Sequence, residues 1–152
     1  MDTITDHSSV EYMEKILGKW KLKNSIRFTD FLSFTQLPWY QIQIANYSNI
    51  DLHLTKISEM KYSKKVESLF YNVDHTIDIN NIYKEYNDGK KIKYSISDNK
   101  IITDIIGTIV NWQEIISFND PYLQIEYIWE ANGKTKTARQ VFSFAQDRSQ
   151  AF

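Results

Sequence analysis

Apolar and polar residues alternate along most of the chain beyond residue 50, as they do in β-strands that have one buried face. In the stretch 123–129 the odd positions are Leu, Ile, Tyr and Trp, whereas Gln and Glu stand at even positions. Clusters rich in Asn, Asp and Gly separate such stretches at 87–89, 97–99, 119–121 and 132–133. Because these residues accept the backbone of tight hairpin turns, neighbouring strands are predicted to be antiparallel.

The pattern predicts ten strands, with bounds 19–25, 50–57, 61–70, 73–79, 81–87, 90–97, 100–106, 108–118, 122–130 and 134–144. So many strands in a short chain leave no room for a covering layer of helices, and an open sheet would expose two edges. We therefore predict a mainly β fold, a ten-stranded antiparallel β-barrel or β-clam. About eight strands already enclose space for one small ligand, so this wall is expected to surround a cavity.

The segment 26–49 departs from the alternation and predicts a helical insert directly after the first strand. Its apolar residues recur at the i, i+3 and i+4 spacing of a helix: Phe28, Phe31 and Leu32. Ser25 is the expected N-cap of this helix. After a turn at Pro38, the stretch 39–47 fits a second short helix, although its alternation also permits a strand. Together these elements would form a helix-turn-helix lid.

The length of 152 residues fits a single domain, 1–152, with an ordered core over about 11–145. The 18 Lys and Arg residues nearly balance the 19 Asp and Glu residues, so no basic field favours nucleic acid as a partner. The chain has no Cys, and its three His residues are scattered, which excludes a thiolate metal site and a His pair at metal-ligand spacing. No metal and no cofactor are therefore expected.

The first residues lack the basic start and apolar run of a secretory signal. Apolar runs such as that in 101–106 are interrupted by polar residues and fall short of the roughly 20 residues that span a bilayer. These features predict a cytoplasmic protein. A closed barrel has no free sheet edge through which two chains could pair, so a monomer is expected.

Three stretches of the sequence resemble the intracellular lipid-binding proteins, the group of fatty-acid-binding and cellular retinoid-binding proteins within the calycin superfamily. The first is GKWKL at 18–22 followed by Ser25, Phe28, Asp30, Phe31 and Leu32. The others are YKEYNDGKKIK at 83–93, similar to the family's acidic and Asp-Gly-basic segment, and the last hairpin, 120–142. The likeness spans roughly 16–142. It implies a ten-stranded β-clam with a helical lid, which holds one lipid inside.

The resemblance also implies a head-group site, and the sequence departs from the family there. In the family a lipid carboxylate is held by an interior Arg and by an Arg-x-Tyr pair on the last strand. Arg139 corresponds to the last-strand Arg, but Val141 stands where Tyr is expected, and Ile116 stands in place of the second Arg. Glu114 lies nearby on the same predicted face. The clamp is therefore incomplete, and a neutral or differently anchored lipid is an alternative to a fatty acid.

The strand registers place a further set of side chains on the inner wall, as either ligand contacts or core: Trp112, Phe118, Ile125, Tyr127 and Trp129. Phe28, Leu32 and Trp39 are the predicted ligand contacts of the lid. Arg139 would anchor the head group by charge-assisted hydrogen bonds. The alternatives are that Arg139 pairs with Glu114 inside the barrel, or that a one-residue shift in register places it on the surface. Trp20 is expected to be a packing plug at the closed end of the barrel.

Three functions are compatible with this pattern. The favoured one is a non-enzymatic cytosolic carrier that binds one fatty acid, retinoid or similar lipid, with transient membrane contact through the lid. A second is a calycin-like barrel enzyme, an isomerase or dehydratase acting on a small hydrophobic substrate, with Glu114 or a His as base. A third is a binding or structural module whose centre is filled by its own aromatic residues. No catalytic residue is assigned.

Overall fold

The computed structural model describes residues 13–37, 41–42, 49–68 and 72–145. It contains ten β-strands and a short helix, α1, at Phe28–Phe34. The strands are β1 Gly18–Ile26, β2 Asp51–Ser58, β3 Lys61–Glu67, β4 Asn72–Asp78, β5 Lys84–Glu85, β6 Lys91–Ser97, β7 Lys100–Ile106, β8 Asn111–Asn119, β9 Tyr122–Ala131 and β10 Lys134–Phe144. The mainly β architecture and the helix after the first strand are confirmed.

The strands form a single curled sheet in the order β4-β3-β2-β1-β10-β9-β8-β7-β6-β5. Every neighbouring pair is antiparallel, and β1 joins the two halves because it pairs with both β2 and β10. The two edge strands are β4 and β5. Near them, Ile79 forms a bridge with Tyr94, and the Asn81 N–H donates to the Tyr94 carbonyl at 2.9 Å. The sheet therefore curls until the end of β4 reaches β6.

The hairpin turns use the residues that the sequence marks for them. Asn132 and Gly133, between β9 and β10, have φ angles of 54° and 75°. Asp98 and Asn99, between β6 and β7, have φ angles of 52° and 59°. This left-handed backbone at both central positions matches the twist of the flanking strands. The turn chemistry thus fixes the antiparallel register of these two pairs.

The buried side chains lie on the inner face of the curled sheet. Trp20 is 1% exposed, its Nε1–H donates to the Ile16 carbonyl at 2.9 Å, and its ring meets Phe118 and Phe144 edge-on. Phe118 stands at the far end of β8 from Trp112, the residue that α1 covers. Trp20 is accordingly a packing plug at the end of the barrel opposite α1.

Helix α1 begins later than the sequence indicates. Ser25 is not its N-cap, because β1 continues to Ile26, which pairs with Arg139 of β10. The N-cap is Arg27, in the left-handed region at φ 58°, and it makes no side-chain capping hydrogen bond. The strand ladder thus overrides the capping preference of Ser25.

Other helical residues flank these elements. A helical turn at 13–16, which the sequence analysis does not predict, precedes β1. Of the predicted second helix, Gln41 and Ile42 are helical, and 39–40 and 43–47 lie outside the described residues. Among the helices in the described ranges, none combines the length and apolar character needed to cross a membrane.

Substitution of Ile101 by Ala is expected to lower the free energy of unfolding by about 2 to 5 kcal/mol, because Ile101 is 0% exposed and truncation leaves a cavity. The matched control is Ile57→Ala on β2, where the side chain is 54% exposed. That variant should lose less than about 1 kcal/mol. Urea denaturation followed by tryptophan fluorescence measures both. Equal losses in the two variants would contradict the assigned inner face.

Candidate ligand-binding site

An aromatic cluster joins α1 to the inner face of the sheet. The Phe31 ring stacks on Tyr127 of β9 with ring centroids 4.5 Å apart. It also meets Trp112 of β8 and Trp129 of β9, each with centroids 5.6 Å apart. Phe28 packs on Tyr127 at 5.3 Å. The helical spacing of Phe28 and Phe31 therefore directs both rings into the barrel mouth, where α1 acts as a lid.

The inner-wall residues predicted on β8 and β9 lie where the registers place them. Four are buried: Ile116, Ile125, Tyr127 and Trp129. Four more are half-buried and pack against this core: Trp112, Phe118, Phe28 and Leu32. Trp39 lies outside the described residues. The structure thus brings these β8, β9 and α1 side chains together at the wall and mouth of the barrel.

The predicted inward position of Arg139 is wrong. Arg139 is exposed, and Val141 lies half-buried on the same outer face of β10. Ala138 pairs with the inward Tyr127, so the even-numbered residues of β10 face the interior. The stretch around Arg139 has no strong apolar alternation, and the pairing with β9 therefore sets its register.

Two of the inward residues of β10, Gln140 and Phe142, are 4% and 1% exposed. Their spacing is that of the Arg-x-Tyr pair expected from the resemblance, but neither carries a charge. The Tyr127 hydroxyl donates to Gln140 Oε1 at 2.5 Å. Ile116 and Ile125 lie beside Gln140 in the same cross-strand row. This part of the interior offers neutral hydrogen-bonding groups and apolar walls.

An ion pair crosses the interior one inward cross-strand row away from Ile116 and Ile125. Lys64 Nζ of β3 lies 3.4 Å from Glu114 Oε1 of β8, and the two side chains are 15% and 16% exposed. Trp112 Nε1 donates to the other carboxylate oxygen, Oε2, at 3.0 Å. The predicted inward orientation of Glu114 is therefore correct. Its cationic partner, however, is Lys64 and not Arg139.

Two further titratable groups lie close to this ion pair. His75 of β4 stands opposite Lys64 in the β3–β4 register. Burial lowers the pKa of His75, the charge of Lys64 lowers it further, and the charge of Glu114 opposes the shift. Burial raises the pKa of the Tyr94 hydroxyl, with smaller contributions from Tyr86 and Glu114. Both groups are therefore held in their neutral forms near pH 7.

A groove of about 540 Å³ runs along the rim between the end of α1 and the β7–β8 connection. Phe34, Ile106, Ile109 and Trp129 line part of it, and the Phe34 ring stacks on Trp129 at 5.5 Å. Ile109 is 71% exposed. The groove therefore gives an apolar approach to the edge of the lid.

No cluster of three potential metal ligands is present among the described residues.

Solved structures provide the comparison with known proteins. No protein-family profile matches the chain, and no curated protein matches it in sequence. A Schistosoma mansoni fatty acid binding protein in complex with arachidonic acid is similar at a TM-score of 0.75 and 19% identity, over 89% of this chain and 99% of that one. The chain has the fold of the fatty-acid-binding proteins.

Two further solved structures agree with this fold. Fatty-acid-binding protein 1 of Echinococcus granulosus gives a TM-score of 0.73 at 14% identity, covering 88% of this chain and 99% of that one. Lipid binding protein 8 of Caenorhabditis elegans, in its apo form, gives 0.76 at 16% identity, covering 88% and 97%. The identities of 14% to 19% mean that this chain shares few residues with these proteins. The shared architecture, and not shared side chains, is what the comparison shows.

Sequence reasoning did not place several polar residues of the interior, among them Lys64, His75 and Gln140. A signal for Lys64 is present, since Lys64 stands between Tyr62 and Val66 on the same face of an alternating strand. A charged side chain favours an exposed position, but the long apolar stem of Lys64 lets it cross the interior and reach Glu114. Gln140 carries no comparable signal, because its position follows from the β9–β10 register.

Substitution His75→Gln is expected to weaken the fall in stability as the pH drops below 6.5, the ordinary pKa of histidine. With a lowered pKa in the fold, the neutral imidazole takes up no proton until a lower pH, whereas the unfolded chain is protonated through 6.5. Stability of the wild type therefore decreases as the pH falls through that window. Urea midpoints at about pH 7.5 and about pH 5.5 measure the effect.

The control for this experiment is His53→Gln, on the face of β2 opposite Leu52 and Leu54. That variant retains His75 and should keep the wild-type difference between the two midpoints. If His75→Gln shows the same difference as the wild type, burial of a neutral imidazole does not contribute to the pH dependence.

Proposed function

We propose that the protein is a non-enzymatic carrier that binds one hydrophobic, single-chain lipid inside the barrel. The observation that carries the proposal is the composition of the inner face within this fold. Apolar side chains cover most of it, and a few polar groups converge on it, as they do in small-molecule sites. An ion pair and a buried Gln–Tyr hydrogen bond lie among these apolar side chains.

Burial of the lipid chain would supply most of the affinity. Removing apolar surface from water is worth about 25 cal/mol per Å². The wall that supports this contact is formed by Ile116, Ile125 and Trp129, which are all buried in the described structure. A fatty acid, a retinoid or a similar lipid fits this requirement. The ligands in the names of the similar solved structures, such as arachidonic acid, belong to the same chemical class.

The alternative function, a barrel enzyme with Glu114 as base, has less support. Both oxygens of Glu114 are engaged, one by Lys64 Nζ at 3.4 Å and the other by Trp112 Nε1 at 3.0 Å. A general base must reach the proton that it abstracts, and here both carboxylate oxygens already contact neighbouring side chains. The similar structures from Echinococcus granulosus and Schistosoma mansoni are named as fatty-acid-binding proteins, which also supports a carrier.

The positions of the aromatic rings bear on the third hypothesis, a module filled by its own aromatic residues. The aromatic contacts gather at the lid and at the plug around Trp20. The wall between them contains Ile116, Ile125 and the polar Gln140. We extend the proposal to a monomeric carrier in the cytoplasm whose lid touches membranes transiently, as expected from the sequence.

Displacement of a fluorescent fatty-acid probe tests the proposal directly. The purified protein should take up the probe with an increase in its fluorescence and release it when an unlabelled lipid is added. Native mass spectrometry after gentle purification should show one retained lipid per chain. Failure to bind any acyl or retinoid probe, with no retained lipid, would overturn the carrier function.

Substitution Phe31→Ala is expected to accelerate both uptake and release of the probe. Phe31 connects α1 to the barrel through three aromatic contacts, so its removal lowers the cost of opening the lid. Stopped-flow fluorescence measures the two rates, which should rise by about tenfold if one or two aromatic contacts are lost. The control is Ser33→Ala on the exposed side of α1, which should leave both rates unchanged. Unchanged rates in Phe31→Ala would show that α1 is not the gate.

A further inference from the structure

The Lys64–Glu114 pair connects strands that are not neighbours in the sheet. Between β3 and β8 lie β2, β1, β10 and β9, so the contact is made across the barrel interior. The pair is also the least exposed of the ion pairs among the described residues, with side chains 15% and 16% exposed. By contrast, the pair of Lys93 with Asp104 joins adjacent strands, and both of its side chains are 27% exposed.

The surroundings of the pair are polar on both sides. Glu114 stands between Thr103 and Tyr127 in the cross-strand register, and Thr103 is buried. His75 stands beside Lys64 on the same face. A Lys ammonium has three donor hydrogens, and each carboxylate oxygen has two lone pairs. The pair can therefore both donate to and accept from a ligand while its own contact persists.

A pair of this kind is not explained by stability alone. Taking two charges out of water is costly, and apolar residues of similar volume commonly stabilise a core at least as well. The ion pair lies inside a barrel that we propose to bind lipid, where it could contact a ligand. We propose that Lys64 and Glu114 form the head-group site, and that it takes a neutral head group, a hydroxyl or primary amide on a long apolar chain.

The charge balance selects against a carboxylate. The charge of Lys64 is already compensated by Glu114, so a fatty-acid carboxylate at the same place would put two negative charges beside one cation. A hydroxyl or an amide adds no charge, accepts from Nζ and donates to a carboxylate oxygen. On β10 the buried inward residues Ala138, Gln140 and Phe142 carry no charge, so none of these three supplies a second cation. This inference depends on the proposed carrier function.

Competition among three ligands with the same chain tests the inference. Oleyl alcohol, oleamide and oleic acid each displace one fluorescent probe at neutral pH, from the wild type and from Glu114→Gln. The wild type should bind the alcohol and the amide about tenfold more tightly than the acid. Glu114→Gln removes the competing negative charge and frees Lys64, so its affinity for oleic acid should rise by about tenfold.

The matched control is Glu59→Gln, which removes a carboxylate that pairs with Lys56 and is 78% exposed. It should keep the wild-type order of affinities. An acid bound as tightly as the alcohol by the wild type, or an unchanged ratio in Glu114→Gln, overturns the head-group inference and leaves the carrier function intact. Absence of binding by all three ligands overturns both. If Glu114→Gln does not fold, the wild-type ratio of acid to alcohol decides alone.

Discussion

The alternation of side chains between the two faces of each strand is the constraint on which this structure depends. Because the period is two residues, a strand's register decides its whole inner set at once. On β10 the pairing of Ala138 with Tyr127 places Gln140 and Phe142 inside and Arg139 outside. The chemistry of the interior is therefore determined by hairpin registers, and these registers depend on turns such as Asn132-Gly133.

Curling of the sheet adds a second level of organisation, since it brings together residues that no local pattern connects. Lys64 and Glu114 are 50 positions apart, yet their side chains meet because β3 and β8 face each other across the barrel. The same curvature sets Trp20 and Phe31 at opposite ends, one as a plug and the other within the lid. Aromatic packing thus closes each end of the interior. The polar side chains, among them Lys64, Glu114 and Gln140, lie between the two ends.

Much of the fold could be predicted from the sequence because its signals are local. The Asn, Asp and Gly clusters mark the turns, and alternation such as that in 123–129 marks the strands, so all ten strands were predicted. Ser25 was mistaken for a helix cap because the pairing of β1 with β10 is a long-range contact. The position of Arg139 is mispredicted for a related reason, because pairing with β9 sets the register of β10. Charge suggests a position, but cross-strand pairing decides it.

The lid has to satisfy two opposing requirements in a carrier. Phe31 packs against three aromatic rings of the barrel, which closes the mouth and removes apolar surface from water. A ligand, however, can exchange only when that contact opens. Helix α1 is seven residues long, too short to be stable by itself in water, and its N-cap makes no side-chain hydrogen bond. Its order therefore depends on the aromatic contacts, so loosening them would release the lid as a unit.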